Sequence, residues 1–207
     1  MLQSSWNRCW RGMGARGDGF ALMQKLISAY AEPQRKYHTT QHLSECLSLL
    51  AQHLDLAVEP AEVEIALWFH DAIYDVKAND NEAKSAAWAE NELLMAFVEP
   101  VRVERVKAHI LATQHSAQPQ GKDQQLLVDV DLSILGAPTP RFEEYEAQVR
   151  AEYEWVPEVI FRSKRKEILA EFLARRPLFN TARLHEALEE RARANLARSI
   201  GNLGQPK

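Results

Sequence analysis

The run Glu64-Ile65-Ala66-Leu67-Trp68-Phe69-His70-Asp71-Ala72-Ile73-Tyr74-Asp75 sets an imidazole and a carboxylate side by side in an otherwise greasy stretch. Burying such groups in apolar surroundings costs free energy unless something pairs with them. A divalent cation is the natural partner, because nitrogen and oxygen ligands together suit zinc, manganese, iron, cobalt, nickel or magnesium. Neighbouring residues on a helix point ~100° apart, so a metal between the two directions is within reach of both. The pair alone is weak evidence. Asp71 could cap a neighbouring helix while His70 hydrogen-bonds in the core.

Other segments supply partners for such a metal. His38 and His42 are four apart and share a helix face if the helix begins early enough. Asp129 and Asp131 interrupt the apolar run from Leu126 to Leu135. Two apart, they point ~200° from each other, so only one easily faces a given site. A surface or capping role is expected for the other, Asp129. Glu82 follows Asn81 at an expected helix start, where the dipole favours an acid; it could also serve as a base near the metal. His115 closes the run from Ile110; it could be a histidine stabilised by the helix dipole, or it could touch a substrate phosphate or a second metal. Arg35 offers a planar fork suited to phosphoryl oxygens.

These residues need helices to hold them. The pattern is helical almost throughout, and alternating strand-like runs are scarce. Helices are expected over residues 20–30 and 40–54, from Pro60 to about Asp75, over 82–97, from Pro100 to near His115, over 124–135, after Pro140 and Pro157, and from Thr181 to Ser199. That makes one all-α domain spanning 1–207, a bundle of about eight or nine helices. The N-terminal segment 1–19, with its glycines, and the tail at 201–207 are expected to be loosely ordered.

Composition excludes several classes. Of the 207 residues, 46% are hydrophobic and 26% charged, with a net charge of -4, as in an ordinary globular protein. No basic stripe marks the chain for nucleic acid. No apolar run reaches the ~20 residues that span a bilayer, and the start lacks the pattern of a signal peptide. The two cysteines, Cys9 and Cys46, form no CxxC pair, which fits a reducing cytoplasm. Mixed charge clusters at 162–166 and 186–190 are read as solvated helix faces. Nothing fixes an oligomeric state.

The order of these groups, His, then His-Asp, then Asp, each on a separate helix, resembles the HD superfamily of metal-dependent phosphohydrolases. A closer resemblance is to an uncharacterised bacterial branch of predicted HD phosphohydrolases. It is carried by Tyr30-Ala31-Glu32-Pro33, Arg35, Tyr37-His38 and His42, then Trp68 to Tyr74, Asn81-Glu82 with Ser85-Ala86, Thr113 with His115, Asp131 to Gly136, and Ala192 to Leu196. It covers roughly residues 5–200, and its short motifs are specific as an ordered set.

The resemblance implies an HD-like bundle with His42, His70, Asp71 and Asp131 as ligands of a single metal. His42 is preferred to His38, and Asp131 to Asp129, on this ground. It implies a phosphohydrolase in which a metal-activated water cleaves a phosphate ester of a small metabolite, nucleotides included. Asp71 or Glu82 then orients that water, and Arg35 and His115 hold phosphoryl oxygens. The alternative is a non-catalytic HD domain that binds metal or nucleotide as a sensor.

Overall fold

The computed structural model describes residues 1–204. Among them are ten α-helices and two short 3-10 helices, with no strand, so the all-α expectation holds with one helix more than expected. Residues 205–207 of the expected loose tail lie outside the described residues. The helices group into two compact units that divide between Asp131 and Leu132.

The first unit holds seven helices: α1 (Leu2–Gly12), α2 (Phe20–Tyr30), α3 (Thr40–Ala51), α4 (Pro60–Phe69), α5 (Asn81–Met95), α6 (Pro100–Ala112) and α7 (Gly121–Asp131). Pro60 opens α4 at a position where its missing N–H does no harm. From Glu62 to Phe69 every residue of α4 is buried. A helix buried all round must be the centre of its unit, and α4 packs against α1, α3, α5, α6 and α7.

Two glutamates on α4 are buried with it, and each is paired. Glu62 receives Arg102 Nε at 2.8 Å and Arg105 through Nε and Nη2, both at 2.7 Å. Glu64 takes Ser5 Oγ–H at 2.6 Å and Arg8 Nε–H at 2.9 Å, and Trp68 Nε1–H in turn donates to Ser5 Oγ. These pairs fix the angular setting of α4 against α6 and α1.

The expectation of a loosely ordered start is corrected. Helix α1 buries Trp6, Cys9 and Trp10, and Met13 follows one turn on. Trp6 stacks on Trp10 and meets Trp68 edge-on, each at 5.1 Å between ring centroids. Gly19 ends the loop that follows. It sits at φ 61°, and a Cβ there would lie 2.7 Å from the Trp10 ring, so only glycine fits.

The second unit begins with a 3-10 helix (Leu132–Gly136), then α8 (Thr139–Glu152), α9 (Glu158–Ala174) and α10 (Ala182–Leu203). Helix α10 packs on α9 and on the 3-10 helix. Asn195, buried on α10, donates through Nδ2 to the carbonyls of Leu135 and Ala137 at 2.8 and 2.9 Å. The charge clusters are not simply solvated. Arg165 is buried and donates to Tyr145 Oη at 2.6 Å, and Glu189 accepts the backbone N–H groups of Leu178 and Phe179. No helix among the described residues is long and apolar enough to cross a membrane.

Candidate metal centre

Three segments of the first unit converge. Thr39 caps α3, its Oγ1 accepting from Gln41 N–H at 3.2 Å. That cap places the two early histidines differently. His42 falls in the first turn of α3, whereas His38 precedes the helix, so they do not share a helical face as the spacing allowed. His42 is buried, with Nδ1 3.0 Å from Tyr37 Oη. His38 stays at the margin, its ring stacked on Tyr74 at 4.0 Å between centroids.

Helix α4 stops at Phe69, short of the expected Asp75, and His70 is its cap. His70 Nδ1–H donates to the Leu67 carbonyl at 2.8 Å. A carbonyl can only accept, so the neutral ring is the Nδ1–H tautomer and Nε2 carries a lone pair. That Nε2 lies 3.1 Å from His42 Nε2. Asp71 Oδ2 stands 2.9 Å from His70 Nε2 and 3.4 Å from His42 Nε2. Asp131, the last residue of α7, brings Oδ1 within 3.3 Å of His42 Nε2 and 3.5 Å of His70 Nε2.

The result is a small volume enclosed by two imidazole nitrogens and two carboxylate oxygens. His42, His70 and Asp131 form a triad whose ligand atoms all lie within 4.8 Å of one another, close enough to hold one metal ion. Asp131 is the aspartate that reaches the histidines. Asp129 is fully buried, which corrects the surface role expected for it.

The electrostatics agree with the donor set. Burial works against a charged His70, but Asp71, Tyr30 and Asp131 outweigh it and hold its pKa well above the usual imidazole value. His42 is raised in the same way, burial being outweighed by Cys46, Tyr37 and the two aspartates. Asp71 and Asp131 resist the upward push of burial and sit well below the carboxylate range. His70 dominates the effect on Asp71, and hydrogen bonding from His115 dominates that on Asp131. The cluster therefore favours positive charge at its centre, which a proton or a metal ion can supply.

The remaining expected residues fall in different places. His115 reaches the cluster, with Nε2 3.1 Å from Asp131 Oδ2 and a side chain still 19% exposed. It does so from a left-handed backbone, φ 55°, just past the end of α6. A non-glycine residue there costs about 1 kcal/mol or more, and such strain gathers at functional sites. His115→Asn keeps a residue that tolerates this backbone. We expect stability within about 1 kcal/mol of the parent in urea unfolding and, if Asp131 needs His115, metal binding weakened about 10-fold or more.

Glu82 is the second residue of α5, half-buried, and no hydrogen bond or ion pair joins it to the cluster. Its neighbours do the linking. Ser85 Oγ accepts from Ile73 N–H at 3.0 Å, and the Asn81 side chain closes on both backbone groups of Asp75. Asn81, the first residue of α5, thus brackets the turn after Asp71.

Arg35 is the main correction. Its side chain is fully buried, and its N–H groups go to protein acceptors: the carbonyls of His38, Asp71 and Ala72 and the Glu32 carboxylate. A guanidinium engaged in this way is not presenting its fork to a phosphate. Tyr30 and Tyr37 carry no expected role, yet Tyr30 Oη accepts from Asp71 N–H at 3.2 Å and Tyr37 orients His42. Only their place in the motif Tyr30 to His38 could have singled them out. No family model, curated protein or solved structure matches the chain, so its role has to be argued from this cluster of two imidazoles and two carboxylates.

Proposed function

We propose that this protein is a metal-dependent phosphohydrolase of the HD type, with His42, His70, Asp71 and Asp131 holding one divalent ion. The reading is carried by His42, His70 and Asp131, whose ligand atoms lie within 4.8 Å of one another, with Asp71 Oδ2 beside them at 2.9 Å from His70 Nε2. A bound dication would lower the pKa of a coordinated water and neutralise charge on a phosphoryl oxygen. Four protein ligands leave coordination positions open for water and substrate in an ion that takes five or six.

The chain's own residues have distinct tasks in this proposal. Tyr37 and the Leu67 carbonyl fix the ring orientations of His42 and His70, as outer partners of ligating histidines commonly do. Asp71, deprotonated at neutral pH and partly open to solvent, orients an attacking water by accepting a hydrogen bond from it. His115, whose Nε2 lies 3.1 Å from Asp131 Oδ2, orients that carboxylate toward the ion. The substrate class is a small phosphate ester, nucleotides included.

The test is a panel of phosphate esters, from p-nitrophenyl phosphate to nucleotides, with Mn, Co, Ni, Zn, Fe and Mg added in turn. Metal-dependent phosphate release that a chelator abolishes and metal restores is expected. Stoichiometric metal with no ester cleaved would favour the sensor reading instead. The ligand choice has its own check. His42→Ala should lose most of its bound metal, whereas His38→Ala should keep most of it, because His42 belongs to the triad and His38, which acts on Asp71 through its charge, does not. The reverse ranking in elemental analysis would overturn the assignment.

A further inference from the structure

Asp71 lies two residues past the end of α4, where the helix supplies no partner for its backbone groups. Both of its backbone groups are nevertheless held by buried side chains. Its N–H donates to Tyr30 Oη, and its carbonyl accepts from Arg35 Nη1 at 2.6 Å. Arg35 Nη2 donates to the next carbonyl, Ala72, at 2.9 Å. The same Nη1 reaches back to the His38 carbonyl at 3.2 Å, and Nε to Glu32 at 3.1 Å. Arg35 therefore joins the loop that leads into His42 to the turn that carries Asp71. Its guanidinium lies near the rings of Tyr30 and Tyr74, 5.3 and 5.6 Å from their centroids.

Only arginine does all of this. A planar fork can span two successive carbonyls, while an ammonium is a single point of charge. Tyr30 adds a hydroxyl that stays protonated, because burial pushes its pKa up to about 12.

We propose that Arg35, assisted by Tyr30, is a positioning residue that fixes the Asp71 carboxylate against His42 and His70 by gripping the main chain around it. The inference rests on the reading of the four residues as a cation site. It assigns Arg35 to the protein side of the site rather than to the substrate.

The fold should tolerate its loss. Arg35 also borders a cavity of about 300 Å³ lined by Glu32, Ile73, Tyr74 and Trp88, among others. Water can therefore reach the carbonyls that Arg35→Ala sets free, satisfying them without holding them in place.

The probe is Co²⁺, titrated into the full-length protein and read by its visible absorption, which reports coordination geometry. Arg35→Ala should weaken Co²⁺ binding about 10- to 100-fold and shift the spectrum toward that of Asp71→Ala. Arg35→Lys should recover only part of the affinity. Tyr30→Phe keeps the ring and the packing, and should shift the spectrum the same way with a smaller loss.

Parent-like affinity and spectrum in both Arg35→Ala and Tyr30→Phe would overturn the proposal. So would a weakening that keeps the parent spectrum and follows only a lower melting temperature of the metal-free variant. If the parent itself takes up no Co²⁺, the cation site fails and this inference with it. If the parent binds and the variants match it, the positioning role alone fails.

Discussion

Asp71→Ala should empty the site and silence hydrolysis while leaving the helices in place. The carboxylate Oδ2 lies 2.9 Å from His70 Nε2 and is the contact that most directly closes the cluster. Its loss removes a ligand and, in the proposed mechanism, the group that orients the attacking water. We expect a fall in activity of at least about 10³-fold, beyond the 10- to 100-fold typical of losing a residue that only supports a ligand. The turn should survive because it does not depend on the carboxylate. Tyr30 holds the N–H of residue 71, and Arg35 holds its carbonyl. Circular dichroism should therefore stay parent-like while bound metal drops. Full activity in this variant would refute the proposed mechanism.

The second large effect concerns the frame that carries His70. Removing both Arg102 and Arg105 by alanine substitution takes away the cations that cover Glu62 and lets water into the space they leave. Breaking a fully buried pair costs about 3–5 kcal/mol, and that water should hold the loss to about 2 kcal/mol. The converse variant, Glu62→Gln, should be milder, because Arg105 is 44% exposed and can turn its guanidinium to water.

The pH dependence should separate the two cases. In the parent, burial would raise the Glu62 pKa, but Arg105 and Arg102 outweigh it and hold it below the usual 4.5. The native state then binds fewer protons than the unfolded chain in this range. The stabilisation is full above about pH 4.5 and is lost as pH falls through the native value. Without the arginines, burial acts alone, and the native pKa moves above the unfolded one. The double variant should therefore regain part of its deficit on acidification from pH 7 to 5. Urea unfolding at the two pH values measures this, and a loss below about 1 kcal/mol with no change of slope would contradict it.

The sequence made α4 legible because Pro60 and an unbroken apolar run admit few other readings. Helix α1 carried an equally regular signal, Trp6, Cys9, Trp10 and Met13 at helical spacing, but the glycines that follow drew the reading toward a loop. At the site, the choice of Asp131 over Asp129 is consistent with helix phase, since residues two apart face nearly opposite ways. Whether His38 and His42 share a helix face depended on where α3 begins, and the Thr39 cap leaves His38 outside the helix. Arg35 was misread for a different reason. Its partners are main-chain carbonyls 36 and 37 residues further on, and no residue type advertises an accessible carbonyl. Its charge suggested an anion, whereas its burial committed it to the backbone.

The most direct test of the cation site is elemental analysis of protein purified without chelator and supplied with divalent metal, compared with His70→Ala and Asp131→Asn. About one ion per chain in the parent, with most of it lost from either variant, is the predicted result. A parent that retains no metal above background, or variants that retain as much as the parent, would contradict the proposed site.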